Sequence, residues 1–394
     1  MLKNKLFLLS PIVALAVIFV FSLTLFPTVQ PQPKNLPIAI VNEDQGVEIP
    51  GQPKMNMGEG IVNRMQESSK SEKDPAVKWV EIKSEVAVQE GLDNQEYYAA
   101  LVIPKDFSEK QASLQTPDPS SPELRIYINQ GMNMAASNVA GQLLNGVVDN
   151  MSNTVRTQLL EGFELQGIPL TAEQASILVT PITKKVITVN EVGQNSSNGN
   201  SPVTLFQPLW IASMVSAAII FFTISKMPIG TRKENLVIKI TQILMGAGIA
   251  LVIGFGLTWI AHGMVGLSIP DYMDTAIFLS ITSFSFFLMI LAVLSLVGIP
   301  GIAVFVLMLF FGAPLLALAP EMMSPFYQDW IYSWLPMRFM IEGLRELFFF
   351  GKGLTWNTPV SVLVWIGLVS MLTILATALK RNTVKEQISE ATAE

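Results

Sequence analysis

The chain has 394 residues, half of them hydrophobic and only 14% charged, with a formal net charge of −6, no cysteine and a single histidine. That balance excludes an ordinary soluble domain, in which about a quarter of residues are charged. Without cysteine there is no disulfide, thiolate nucleophile or thiolate metal site, and His262 alone builds neither a multi-histidine site nor a Ser-His-Asp triad within one chain. No cofactor, metal or catalytic centre is therefore expected.

Lys3 and Lys5 precede an apolar run at 6–26. The run is long for a signal peptide, and 26–30 offers no small-x-small cleavage site, so it reads as an uncleaved anchor with its start in the cytoplasm. Pro27, Pro31, Pro33 and Pro37 then form a stiff spacer.

Residues 31–205 carry 13 Lys/Arg against 21 Asp/Glu. An acidic surface of this kind argues against nucleic acid as a partner. Strands are expected at 36–42, 77–82, 97–103 and 124–129, with a strand-like return at 185–189. Short helices are expected at 58–69, 84–94, 106–114 and 171–178, Val86 and Leu92 facing the core in the second. This alternation predicts an α/β domain over 31–200. A long helix at 132–166 carries Val139, Leu143, Val147, Met151, Val155, Leu159 and Phe163 at every fourth position. Such a stripe winds around a straight helix, so it either packs partly on its own domain or projects to meet another subunit. Residues 193–200 read as a flexible linker.

Five further apolar segments follow, at about 206–225, 240–261, 275–297, 302–319 and 360–379, most of them long enough to cross roughly 30 Å of hydrocarbon. With the anchor they predict a polytopic α-helical membrane protein of six transmembrane helices, the α/β domain inserted outside between helices 1 and 2. The connection after the second span carries Lys226, Arg232, Lys233 and Lys239 against Glu234, whereas 262–274 carries Asp271 and Asp274 and no Lys or Arg. Lys380 and Arg381 follow the last span. The positive-inside rule then puts both termini in the cytoplasm, 381–394 as a tail, and 31–200 outside.

Trp210, Trp259, Trp330, Trp334 and Trp356 are expected to anchor at the outer boundary, with Trp365 deeper, packed between helices. Gly246, Ala250, Gly254 and Thr258 form a small-residue stripe, nearly doubled by Gly248, Val252 and Gly256, suited to intrachain packing or to a moving or intersubunit surface. Pro314 is placed to kink the fifth helix. An amphipathic helix at 335–350, with Pro336 in its first turn and Arg338, Glu342 and Arg345 in local register, reads as an outer-leaflet rim element or a gate. No Gly-rich loop ending in Lys-Ser/Thr is present, so any ATP chemistry sits on another polypeptide.

Three stretches carry a resemblance: LPIAIVNEDQG at 36–46, YYAALVIPKDFS at 97–108 and INQGMN at 128–133. On these the chain resembles the bacterial YhgE/Pip (phage infection protein) family. Through 335–345 its membrane half is similar to the external helix of type-2 ABC permeases. The resemblance implies a bacterial plasma-membrane permease subunit, a homodimer working with a separate ATP-binding subunit to export an apolar or amphiphilic substrate. It implies an ATPase-coupling loop at 227–239, with Met227, Thr231, Arg232, Lys233 and Lys239. The rival reading is a non-transporting surface scaffold or receptor, for phage adsorption or secretion.

Overall fold

The computed structural model describes residues 33–378 apart from 49–50, 52, 71–73, 168 and 228–230, together with Leu15, Phe19 and Ser22. Most of the expected anchor at 6–26, and the tail at 381–394, lie outside the described residues. The chain forms two units: one of 26–193 with 318–331, the other of 1–25, 194–317 and 332–394.

The first unit runs β1 (Leu36–Asn42), α1 (Met57–Lys70), β2 (Val77–Ile82), α2 (Glu85–Asp93), β3 (Ala99–Ile103), α3 (Phe107–Ser113), β4 (Glu123–Asn129), α4 (Met134–Gln166), α5 (Ala172–Ile177) and β5 (Thr183–Val189). The five strands form one sheet in the order β2-β1-β3-β4-β5, parallel except where β3 meets β4. Strand periodicity sorts the side chains between two faces. Leu36, Ile38, Ile40, Leu101, Ile103, Leu124 and Ile126 pack in one core with Val62 and Met65 of α1 and Ala136, Ala140, Leu144 and Val148 of α4. Ala39, Val41, Ala100 and Val102 pack in the other with Val88 and Leu92 of α2. Because both faces are covered, β1 and β3 are apolar almost throughout rather than alternating.

Two details of this unit differ from the sequence expectation. Val86 is 71% exposed, and Val88, two positions on, takes the core place. On α4 the fully buried row is Ala136, Ala140, Leu144 and Val148, whose small first members let the helix lie close to the sheet. Val139, Val147, Met151 and Val155 flank it half-buried, Leu143 is exposed, and Leu159 and Phe163 join Leu114 and Leu178 in a separate cluster. The expected winding is thus present, starting one residue off the predicted row.

The stretches at 36–46 and 97–108 meet at the carboxyl ends of β1 and β3. Buried Asp44 accepts from the backbone N–H of Ser108 at 3.0 Å, Gly58 at 3.1 Å and Gly46 at 3.2 Å, and from the Ser108 hydroxyl. Asn42 Oδ1 accepts from Asp44 N–H at 3.0 Å, and Asn56 Nδ2 donates to the Asp44 carbonyl at 2.8 Å. Gly58 is required here, since a Cβ would strike Asn42 Oδ1 and Asp44 Cβ. The stretch at 128–133 makes the β4–α4 junction. There buried Asn129 donates to the carbonyls of Leu92 at 2.7 Å and Tyr97 at 3.1 Å, and Asn133 caps α4.

Residues 318–331 also belong to this unit, although the sequence places 201–380 together as the membrane domain. Ala319 and Met322 enter the larger core, and Tyr98 Oη donates to Glu321 Oε2 at 2.7 Å. The short helix Pro325–Trp330 follows.

The second unit contains α6 (Ser201–Ser225), α7 (Arg232–Trp259) with a π-helical extension Ile260–Met264, α8 (Tyr272–Val297), α9 (Gly301–Ala317), α10 (Pro336–Phe349) and α11 (Thr358–Thr377). Among the described residues, α6, α7 with its extension, α8 and α11 are long and apolar enough to cross a membrane, and α9 is a shorter apolar helix. At 17 residues α9 spans about 25 Å. The expected linker at 193–200 is an ordered run of turns in its described part: Ser196 is buried and accepts from Gly199 N–H at 3.1 Å, while Asn195 accepts from Ser268 N–H at 3.3 Å.

Candidate functional site

Helix α8 is the hub of the second unit. It is buried along most of its length and touches α6, α7, α9, α10 and α11. A helix apolar on every side belongs in such surroundings. Its contact with α7 is made by the predicted stripe. Gly246 lies against the ring of Phe287, and Gly254 lies so close to Ser280 and Ala276 that no Cβ fits between the backbones. Ala250 and Thr258 are buried on the same row. The second row faces away: Gly248 and Gly256 have open space where a Cβ would stand, and Val252 is exposed.

Polar groups punctuate this apolar seam. Ser213 of α6 and Ser283 of α8 share a hydrogen bond of 3.0 Å. Gln242 is buried one turn before Gly246, and its Oε1 has no hydrogen-bond partner among the described residues. Buried polar atoms are paired as a rule, so this one stands out. Sequence reading passed over Gln242, although its four-residue spacing from Gly246 put it on the packing row.

Trp210 is a correction. Rather than an interfacial anchor it is 0% exposed, donates through Nε1 to the Phe305 carbonyl at 3.2 Å, and packs edge-on to Phe286 with ring centroids 4.9 Å apart. Trp259, Trp330, Trp334 and Trp356 are all exposed. Trp365, expected between helices, is 62% exposed and points away from the bundle.

Helix α10, the amphipathic helix expected at 335–350 as a rim element or a gate, begins at Pro336, and eleven of its residues are buried, Arg345 among them. It packs against α6, α8, α9 and α11, with Gly343 accommodating the ring of Phe278. Arg345 is 7% exposed and its Nε has no hydrogen-bond partner among the described residues. Arg338 lies 3.9 Å from Glu342 and holds its guanidinium 4.5 Å from the Phe339 ring centroid. Glu346 accepts from Asn357 at 2.6 Å, Asn357 caps α11, and Asp274 near the start of α8 accepts from Leu354 N–H at 2.7 Å. One end of the bundle is thereby laced together. Pro314 sits within α9, three residues before its end.

The loop expected at 227–239 is shorter than predicted. Met227 lies outside the helices, but α7 starts at Arg232, so Arg232, Lys233 and Lys239 are helical. Thr231 caps them, its hydroxyl accepting from Glu234 N–H while Glu234 returns a bond to Thr231 N–H at 3.1 Å. This Thr-x-x-Glu capping box was legible in the sequence and was missed. Met227, Thr231, Arg232 and Lys233 are exposed. Lys239 reaches Ser295 Oγ at 3.3 Å, and Asn235 donates to the Ala378 carbonyl at 3.3 Å, tying α7 to the ends of α8 and α11. The charged start is therefore rigidly continuous with a span.

No solved structure matches the chain. A curated relative, described as uncharacterized protein YhgE of Bacillus subtilis (strain 168), is 23% identical over 124 residues. That match covers 32% of this chain and 15% of the relative. The family model described as ABC-2 family transporter protein matches residues 5–379, nearly the whole chain. The apolar spans, the glycine-lined seam and this match agree: the chain belongs to the ABC-2 family of membrane transporter proteins.

Proposed function

We propose that the chain is the permease subunit of an exporter that moves an apolar or amphiphilic substrate outward, powered by an ATP-binding subunit on a separate polypeptide. One observation carries this reading. The exposed cationic start of α7 is locked to the ends of α8 and α11, so force applied at Arg232 and Lys233 passes directly into the packed hub. A non-transporting anchor has no use for such a linkage. The seam between α7 and α8 is smooth, built from Gly246, Ala250 and Gly254, and suits two helices that shift past each other.

Charge supports the orientation. With Lys226, Arg232 and Lys233 at the cytoplasmic face, Asp271 and Asp274 fall outside, and so does the α/β unit. In this reading the span at 6–26 and α9 bring the number of membrane helices to six, and two copies form the path. The apolar spans are short of charge, which favours apolar cargo.

The test is co-purification in mild detergent, with identification of partners. An ATP-binding subunit should accompany the chain and be lost from Arg232→Glu/Lys233→Glu. Retention by that variant overturns the assigned contact, and absence of any such subunit from the unaltered chain overturns the permease reading.

A further inference from the structure

The α/β unit holds a cavity of about 520 Å³ between α1 and α4, within the size range of small-molecule sites. Its floor is Met57, Ile61, Met65, Val147, Met151 and Val155. Three of these belong to the winding stripe on α4, at the level where it leaves the sheet. These side chains pack half-buried against the core on one side and line the cavity on the other. Methionine side chains are unbranched and re-pack around chains without a fixed shape.

Two features say what fits. Arg64 is the one charged residue in the lining, is exposed, and makes no ion pair among the described residues. Thr154, Gln158 and Gln111 add polar groups to the same lining. Gly60 also lines the cavity, and nothing lies within 4 Å of where its Cβ would stand. An apolar trough with a single cation matches a molecule with a long hydrocarbon chain and one anionic head, the guanidinium engaging carboxylate or phosphate. A partner helix would instead meet a concave pocket carrying one charge and no complementary row.

We infer that this cavity binds a long-chain anionic amphiphile, its chain among the methionines and its head at Arg64. The inference rests on the export reading above and gives its substrate a chemical class.

The experiment uses the full chain in zwitterionic nanodiscs with a long-chain fatty acid carrying a diazirine, and the matching uncharged alcohol. After photolysis, labelled peptides are located by mass spectrometry. Labelling should concentrate on the peptides containing Met57–Met65 and Met151–Val155. Gly60→Trp, which fills the cavity from open space, should lower it by about tenfold. Arg64→Gln should lower acid labelling severalfold and leave alcohol labelling unchanged. Gly60→Leu with an unchanged melting temperature guards against misfolding. Labelling confined to the membrane helices, labelling of the cavity that survives both Gly60 variants, or a Gln158→Cys variant that cross-links two copies through this groove would each overturn the inference. None of these readouts needs the ATPase. Loss of cavity labelling with ATPase co-purification intact removes the amphiphile site alone, whereas labelling without any ATP-binding partner removes only the permease reading.

Discussion

The carboxylate of Asp44 accepts the backbone N–H of Ser108 at 3.0 Å, joining the end of β1 to the first turn of α3. The same group takes the N–H of Gly58 in the first turn of α1, so one buried anion serves the amino ends of two helices. Helix N-termini favour negative charge through their free N–H groups and dipole.

Asp44→Ala leaves these donors buried without an acceptor. The expected loss of stability for the α/β unit is about 3 kcal/mol, since each orphaned buried donor costs roughly 1–3 kcal/mol. Ser108→Ala should cost less, and the double variant less than the sum, because the two share one network. Urea unfolding of the full chain in detergent, followed by protease sensitivity within 31–193, measures both. Additive losses would remove the proposed coupling.

A second polar group sets the pH response of the same unit. Burial raises the Glu85 carboxyl, but the hydrogen bonds from Tyr127 and Arg125 and the Arg125 charge outweigh burial and hold it below the usual carboxylate range. Arg125 stands 2.7 Å away. A carboxyl with a lowered folded pKa stabilises the fold above its unfolded value of about 4.3, and that contribution disappears as pH falls through the lower folded value. Tyr127 works in the opposite direction: burial, then Glu85, pushes it up to about 12. The folded state keeps that proton between the unfolded value of about 10 and about 12, so stability declines as pH rises across the interval. Urea midpoints against pH should show both limbs, the acid one flattened by Glu85→Gln and the alkaline one by Tyr127→Phe.

The sequence disclosed elements more readily than partners. Long apolar runs placed α6 and α8 to within a few residues, and the compact apolar runs of β1 and β3 reflect strands covered on both faces. The misses share a cause. Trp210 and Trp365 were assigned from residue type and position along a span, whereas burial depends on which helix lies opposite. The capture of 318–331 by the α/β unit is a contact across more than 200 residues, Tyr98 to Glu321, and no local pattern encodes it. Gln242 and the Thr231–Glu234 box were legible by spacing alone. The coupling residues were placed on a loop because the apolar signal begins near Ile240, while the helix, started by its cap, begins earlier.

Glycines along α7 separate packing from exposure. At Gly254 a Cβ would stand 2.6 Å from Ser280 N and 2.7 Å from the Ala276 carbonyl, main-chain atoms that cannot turn aside. Gly254→Ala should therefore destabilise the bundle by about 1–3 kcal/mol, the usual range for overpacking. At Gly246 the nearest atoms all belong to the Phe287 ring, a side chain that can give where main chain cannot, so Gly246→Ala should cost less. Gly256→Ala enters open space and should be neutral or slightly stabilising, as alanine is the better helix former. Melting temperatures in one detergent order the three variants. Equal shifts for Gly254 and Gly256 would mean that this row does not face α8.

Trp210 makes the last case, because its two roles predict opposite outcomes. As an interfacial anchor it would tolerate loss with little effect on the isolated bundle. In the structure it fills the space between Phe206, Phe286 and Phe305 and donates to a backbone carbonyl of α9. Trp210→Phe keeps most of the volume and removes the donor, for an expected cost of about 1 kcal/mol. Trp210→Ala opens a cavity and should cost about 3–5 kcal/mol. Trp365→Ala, at a site turned away from the bundle, should leave the midpoint within about 0.5 kcal/mol. Denaturant unfolding in detergent distinguishes these values. A Trp210→Ala variant as stable as Trp365→Ala would show that α6 and α9 do not meet around the indole.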